Sequence, residues 1–160
     1  NYDFSDTVLA GHIKDHLILK KGGLKIGIYG LGIELEGLVS KLNYGNTRYA
    51  DPLKTALRME TILKKEQNCD LVICLSHLGF SYEHSKVSDI VLAPQTRYTD
   101  LIIGGHTHSF LEKPAVLKNA DGKPILVNQA GWAALAIGKI ELVFDRSGKK
   151  KNQTVIINNL

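Results

Sequence analysis

Apolar positions along the 160 residues follow two spacings, one unbroken or alternating and one helical. The runs Asp70-Leu71-Val72-Ile73-Cys74-Leu75 and Asp100-Leu101-Ile102-Ile103-Gly104 contain no polar residue after their leading aspartates. Such runs suit strands covered on both faces, so both are predicted as central strands. His16–Lys20 and Leu24–Tyr29, joined across Gly22-Gly23, predict a hairpin. From Asp51-Pro52 to Gln67 the spacing turns helical: Leu53, Ala56, Leu57, Ile62 and Leu63 recur on one side, with Asp51 as N-cap and Pro52 in the first turn. A second, shorter helix is predicted from Tyr82 to Leu92, ending before Pro94, because proline disfavours helix in the residue preceding it. Turn signals at Asn119–Gly122 and Asp145–Gly148 predict two further hairpins, with strands at Ile125–Asn128, Gly138–Phe144 and Thr154–Ile157. Strands alternating with helices imply an α/β fold whose parallel centre runs into an antiparallel tail.

Composition narrows the class without changing that picture. Apolar residues make up 44% of the chain and charged residues 22%, the balance of a packed, water-soluble domain. The formal charge of +4 arises from 20 Lys plus Arg against 16 Asp plus Glu, with Lys20-Lys21 and Lys149-Lys150-Lys151 flanking turns. Nucleic-acid-binding domains carry a dense basic stripe interleaved with aromatics, so no nucleic-acid partner is expected. No apolar run approaches the roughly 20 residues that span a bilayer, so no membrane span is expected. Cys69 and Cys74 would point to opposite faces of a strand and lack CxxC spacing, which predicts buried free thiols. The chain opens Asn1-Tyr2-Asp3-Phe4 without Met, which predicts a processed product, a cloned segment or a proteolytic fragment.

The chemistry lies just past each buried run, in Ser76-His77-Leu78-Gly79 after the first and Gly105-His106-Thr107-His108 after the second. Loops at the carboxyl ends of strands in an open α/β sheet converge on ligand sites, and neutral imidazole is a common ligand for transition metals. A lone histidine is more often structural. Three at strand ends, two of them two positions apart behind a Gly-Gly pair, point to a shared metal centre at His77, His106 and His108. Gly104 and Gly105 offer close approach and backbone angles closed to other residues.

The Gly105–His108 run resembles the last signature of calcineurin-like metallophosphoesterases, and Ser76-His77 is similar to the isolated histidine preceding it. Asn1–Phe4, the helix opening at Asp51-Pro52, Asp70–Gly79, Asp100–His108 and Val127–Asp145 follow the order of the 5′-nucleotidase branch. The resemblance implies the C-terminal half of an α/β/β/α sandwich with mixed sheets, residues 1–160 forming the later part of a single domain. It implies two divalent transition-metal ions, Zn, Mn or Fe, with His77 and His106 on one and His108 on the other. Two ions about 3.5–4 Å apart can clamp a phosphoryl group and activate water for in-line attack. The implied substrate is a nucleoside monophosphate or another phosphate ester.

The earlier family signatures, Asp-x-His, Gly-Asp and Gly-Asn-His-Glu or Asp, do not occur here. They are expected upstream of Asn1, together with the catalytic histidine, so the intact parent is expected to be the enzyme and this chain alone to have little or no activity. The alternative is a non-catalytic metal-binding module. The missing N-terminal half is the expected partner, and its absence predicts self-association through exposed apolar surface. Members of the branch are commonly exported, which implies a periplasmic or extracellular location.

Other residues draw plainer readings. Asn1 precedes Tyr2 rather than His and is not expected as a ligand. His12, His16 and His84 match no signature and are expected in turns or at the surface, His84 close enough behind His77 to line a cleft. Asn128-Gln129-Ala130-Gly131-Trp132 reads equally as a substrate-binding border, through Asn128 and Trp132, or as a polar turn covered by a packed Trp132. Gly30-x-Gly32 follows a strand as a dinucleotide fingerprint would, but Leu35 stands where the third Gly is needed, so a flexible turn is expected.

Overall fold

Gly22 and Gly23 both take left-handed angles, φ 59° and 83°, as a two-residue hairpin turn between twisted strands requires. In the computed structural model, which describes residues 1–145 and the backbone course of 150–159, that turn joins β2 (His16–Lys21) to β3 (Leu24–Leu31). A short strand, β1 (Tyr2–Asp3), precedes them and pairs with β4 (Arg48–Tyr49), which follows the one-turn helix α1 (Lys41–Tyr44). Helix α2 (Pro52–Thr61) starts as expected, the Asp51 carboxylate accepting from Lys54 N–H at 3.0 Å. It then widens into a π-helical turn over Ile62–Glu66. Next come β5 (Leu71–Ser76), α3 (Asp89–Leu92), β6 (Leu101–Ile103), β7 (Ala115–Lys118) and β8 (Pro124–Asn128). A terminal ribbon pairs β9 (Ala136–Phe144) with β10 (Lys150–Asn159). The ribbon confirms the strands expected there, while Arg146–Gly148 of the expected turn lie outside the described residues.

The main sheet has order β2-β3-β5-β6-β8-β7. Its inner pairs are parallel and its two outer pairs antiparallel, so β5 and β6 are central, as their unbroken apolar runs predict. One face packs Tyr29, Leu31, Val72, Cys74, Ile102, Ile125 and Val127 against Ala56 and Met59 of α2, Leu63 beyond it, and Leu92 and Ala93. Leu57, expected on that stripe, faces outward instead. Cys69 and Cys74 are buried and unpaired, as expected. A Cβ on Gly27 would crowd Leu63 Cδ2 at 2.8 Å and Cys69 Sγ at 3.0 Å, so this glycine lets the helical layer sit close to the strands.

The second face differs. Strand register places Leu17, Leu19, Ile26, Ile28, Ile73, Leu75, Ile103 and Val116 together there. Leu17, Leu19, Leu75, Ile103 and Val116 are 41–60% exposed. This is an α/β fold with helices on one face of a mixed sheet and, opposite, an apolar face on which Leu71, Leu101 and Leu126 are buried while those five residues are exposed.

The second expected helix is much shorter than Tyr82–Leu92. Only α3 is helical, running into a single 3-10 turn at Ala93–Gln95 that accommodates Pro94. Buried polar contacts compete with helix upstream: Tyr82 donates its hydroxyl to Leu78 O at 2.6 Å, and Asp89 N–H bonds Gly79 O at 2.8 Å. No helix follows Gly30-x-Gly32, since β3 continues to Leu31 and Ile33–Glu36 are irregular. Helix is also absent where a phosphate-binding fingerprint would need one.

Candidate metal centre

The parallel strands β3, β5, β6 and β8 end at one edge of the sheet, and each delivers a polar residue there. Asn1 is tied to the end of β3, its side chain bonding Gly32 N–H and Gly32 O at 2.6 and 3.0 Å and Ala50 O at 3.0 Å. Those bonds occupy it structurally. His77 follows β5 with its N–H held by Leu31 O at 2.8 Å. Gly104–His108 follow β6, and Gln129 follows β8.

His77 and His106 are brought together, their ring centroids 5.1 Å apart and nearly edge-to-face at 68°. His108 instead stacks on Trp132, centroids 5.5 Å apart and planes within 12°. Among the described residues, no group of three or more His, Cys, Asp or Glu side chains could by itself hold an ion. The expected set is therefore assembled in part: a neighbouring pair of imidazoles, and a third beside an aromatic plate.

The turn carrying the pair does not work as its glycines suggest. Left-handed angles fall on the histidines, φ 80° at His106 and 55° at His108, and not on Gly104 or Gly105. Such angles are uncommon outside glycine, and strained backbone of this kind clusters at functional sites. The two glycines supply space instead. A Cβ on Gly104 would collide with Asp89 Oδ2 and Gln129, and one on Gly105 would stand 3.2 Å from His77 Nδ1.

Electrostatics favour the donor form of the imidazole. Partial burial pushes the His106 pKa down, and the neighbouring His77, Lys86 and His108 act in the same direction. Metal ligation requires neutral imidazole, and the lowered His106 value suits that role. Lys86, whose ammonium lies 4.9 Å from the Tyr82 ring centre, was not singled out by any motif.

Beneath the histidines lies a buried polar cluster that the sequence did not reveal. Ser76 donates to Asp89 Oδ1 at 2.5 Å, and Gln129 Nε2 donates to Asp89 Oδ2 at 3.1 Å and to Gly105 O at 3.0 Å. Gln129 Oε1 accepts from Thr107 Oγ1 and Ser109 N–H, both at 3.2 Å. Burial pushes the Asp89 carboxyl up, opposed by its bonds to Ser76 and Gln129. Asp89 looked like an ordinary helix residue in sequence, and its only local signal is a carboxylate in the first turn beside Ser88.

The loop after β8 splits its two readings. Trp132 is 55% exposed, so it does not cover the turn as a packed residue. Asn128 is buried, with Oδ1 lacking a partner among the described residues. His12 and His84 are exposed, and His16 lies on β2 opposite Tyr29.

No family model matches the chain. Individual relatives do. An apyrase of Tabanus yao is 32% identical over 157 residues, covering 89% of this chain and 27% of that protein. The trifunctional nucleotide phosphoesterase protein YfkN of Bacillus subtilis (strain 168) is 29% identical over 147 residues, covering 89% and 9%. The crystal structure of a 5′-nucleotidase precursor from Thermus thermophilus matches with a TM-score of 0.79 at 27% identity, covering all of this chain and 32% of that one. The chain thus spans about a quarter or less of these curated relatives' length.

Proposed function

We propose that the chain, similar over a part of their length to proteins named apyrase, nucleotide phosphoesterase and 5′-nucleotidase, is the C-terminal part of a calcineurin-like metallophosphoesterase domain of the 5′-nucleotidase branch. The whole domain hydrolyses phosphate monoesters, nucleoside monophosphates foremost, with two divalent transition-metal ions. The observation that carries this reading is the His77–His106 pair at the ends of adjacent parallel strands, 5.1 Å apart, on a turn with left-handed histidines. Names of relatives that include apyrase and 5′-nucleotidase support the substrate class.

His77 and His106 hold one ion and His108 the other. Ions in such a site supply Lewis-acid stabilisation of phosphoryl charge and lower the pKa of water. The chain's own residues prepare the site: burial keeps His106 neutral, and the Lys86 charge close to it favours an anionic ester. The open face of Trp132 beside His108 offers a surface against which a substrate ring can stack, and Asn128 borders the same strand end. The remaining ligands and the proton donor come from the other part of the domain. The apolar second face of the sheet, with Leu17, Leu75 and Val116 exposed, supports a packing partner of the same domain there. A periplasmic or extracellular location is supported by the precursor description of the Thermus thermophilus protein; among the described residues no helix is long and apolar enough to cross a membrane.

Phosphate release from several nucleotides by the protein containing both parts, with Mn(II) or Zn(II) added, tests the reading. Metal-dependent release is expected, and none from any ester would sink it. The His77–His106 pair supports a second reading for the 160-residue chain alone, a metal-binding module without catalysis. Equilibrium dialysis against Zn(II) decides that point: retained ion with no phosphate release supports it, and no retained ion removes it.

A further inference from the structure

Two loops carry the histidines, and among the described residues no covalent or ladder contact joins them beyond the ends of β5 and β6. Something must hold their separation if two imidazoles are to act as one donor pair. Side-chain bonds do so through residues outside both histidine runs. Asp89 takes Ser76, the residue before His77, on one oxygen and Gln129 on the other, at 2.5 and 3.1 Å. Gln129 then grips the second loop at Gly105 O, Thr107 Oγ1 and Ser109 N–H. Thr107 closes the circuit by accepting from Phe80 N–H, in the His77 loop, at 2.9 Å. Asp89 is fully buried, Gln129 1% exposed and Ser76 7% exposed. Gly104 has no room for a side chain because the Asp89–Gln129 pair fills that space.

We propose that Asp89 and Gln129 are positioning residues, forming a clamp that fixes the His77 loop against the Gly104–His108 turn before any ion binds. The proposal rests on the metal-centre reading only for its purpose; the clamp itself is a property of the protein without metal. Its logic is donor–acceptor complementarity. As a carboxylate Asp89 accepts from both partners, so Gln129 presents its amide N–H there, which turns Oε1 toward Thr107 and Ser109. Replacing Asp89 by Asn, with its oxygen still on Ser76, places a donor against a donor, and replacing Gln129 by Glu places two carboxylates together. Combining the two substitutions restores one donor and one acceptor across the contact, and the carboxylate introduced at position 129 can still accept from Thr107 and Ser109, while the bond to Gly105 O is lost, so the double variant recovers the clamp in part.

Hydrogen exchange of backbone amides in the metal-free chain, read by NMR, tests the clamp. Gln129 touches Ser109 N–H but does not touch Phe80. In Gln129→Glu, exchange at both Ser109 and Phe80 should quicken by about tenfold or more, while Val127 in the core stays slow. Asp89→Asn should do the same, and the double variant should exchange more slowly at Phe80 than either single variant, part of the way back to wild type. Acceleration confined to Ser109, or a double variant as fast as either single one, overturns the clamp. Should a single variant loosen the whole sheet, so that Val127 quickens equally, recovery in the double variant still decides.

A Zn(II) titration of the same proteins reads its purpose. Affinity should fall on the order of 10–100-fold in each single variant, as loss of partners behind metal ligands does, and recover in part in the double. Undiminished affinity in the single variants overturns the positioning role. Wild-type protein that binds no zinc would count against the metal centre, and the exchange result would still stand or fall by itself.

Discussion

His106 shows how much a single residue's setting matters. Its backbone is left-handed at φ 80°, a conformation that costs an L-residue roughly 1–2 kcal/mol, and its ring is held beside His77 by the space at Gly105. The Gly-Gly pair predicts conformational freedom at Gly104 and Gly105; the structure puts the unusual angles on His106 and His108 instead. Only a packed neighbourhood decides which residue of a turn bears the strain, so spacing could identify the histidines and not the division of labour. The same burial that lowers the His106 pKa sets a pH dependence. The unfolded imidazole takes its proton near the ordinary value of about 6.5, and the folded one takes it at lower pH. Stability is therefore level above about 6.5 and declines as pH falls from there through the folded value. An NMR titration of the metal-free chain should place the His106 midpoint below about 6.5; a midpoint above it would contradict the neutral donor assigned here.

At the scale of elements, the strands and the first helix were legible because their signals are local. Asp51-Pro52 caps and opens α2 as its chemistry requires, and the unbroken runs at β5 and β6 occupy the centre of the sheet. The second helix was overestimated because its polar residues serve long-range contacts that no window reveals. Glu60 is the clearest case of such a contact. It sits on α2, 1% exposed, and accepts from Arg97 N–H, Tyr98 N–H, Thr99 N–H and Thr99 Oγ1, each at 2.9 Å. It thereby fixes the turn that feeds β6 and, beyond β6, the His106 loop. Glu60→Ala should lower the unfolding free energy by about 3 kcal/mol, since a buried group stripped of its partner costs roughly 1–3 kcal/mol. Urea denaturation checks this, and an unchanged midpoint would mean that water replaces the carboxylate without penalty.

For the whole molecule, an extended exposed feature among the described residues is the apolar patch on the second face of the sheet. Its leucines, isoleucines and Val116 align across the strands β2, β3, β5, β6 and β7, and a surface of that kind favours association. Sedimentation velocity of the isolated chain should show concentration-dependent dimers or larger species, and Leu19→Lys with Leu75→Lys should reduce them; a strictly monomeric boundary would contradict an exposed packing face. The fold class and the three histidines were legible in sequence because strand runs and a Gly-Gly-His-Thr-His turn are contiguous. The Asp89–Gln129 cluster was not, since its members stand 40 residues apart and meet only when β5, β6 and β8 share one edge. The assignment of the histidines to metal is tested most directly by counting ions. In the protein containing both parts of the domain, bound Mn(II) or Zn(II) per chain should fall by about one from wild type to His106→Ala, through loss of the ion that it shares with His77. Equal ion content in the two proteins would contradict it.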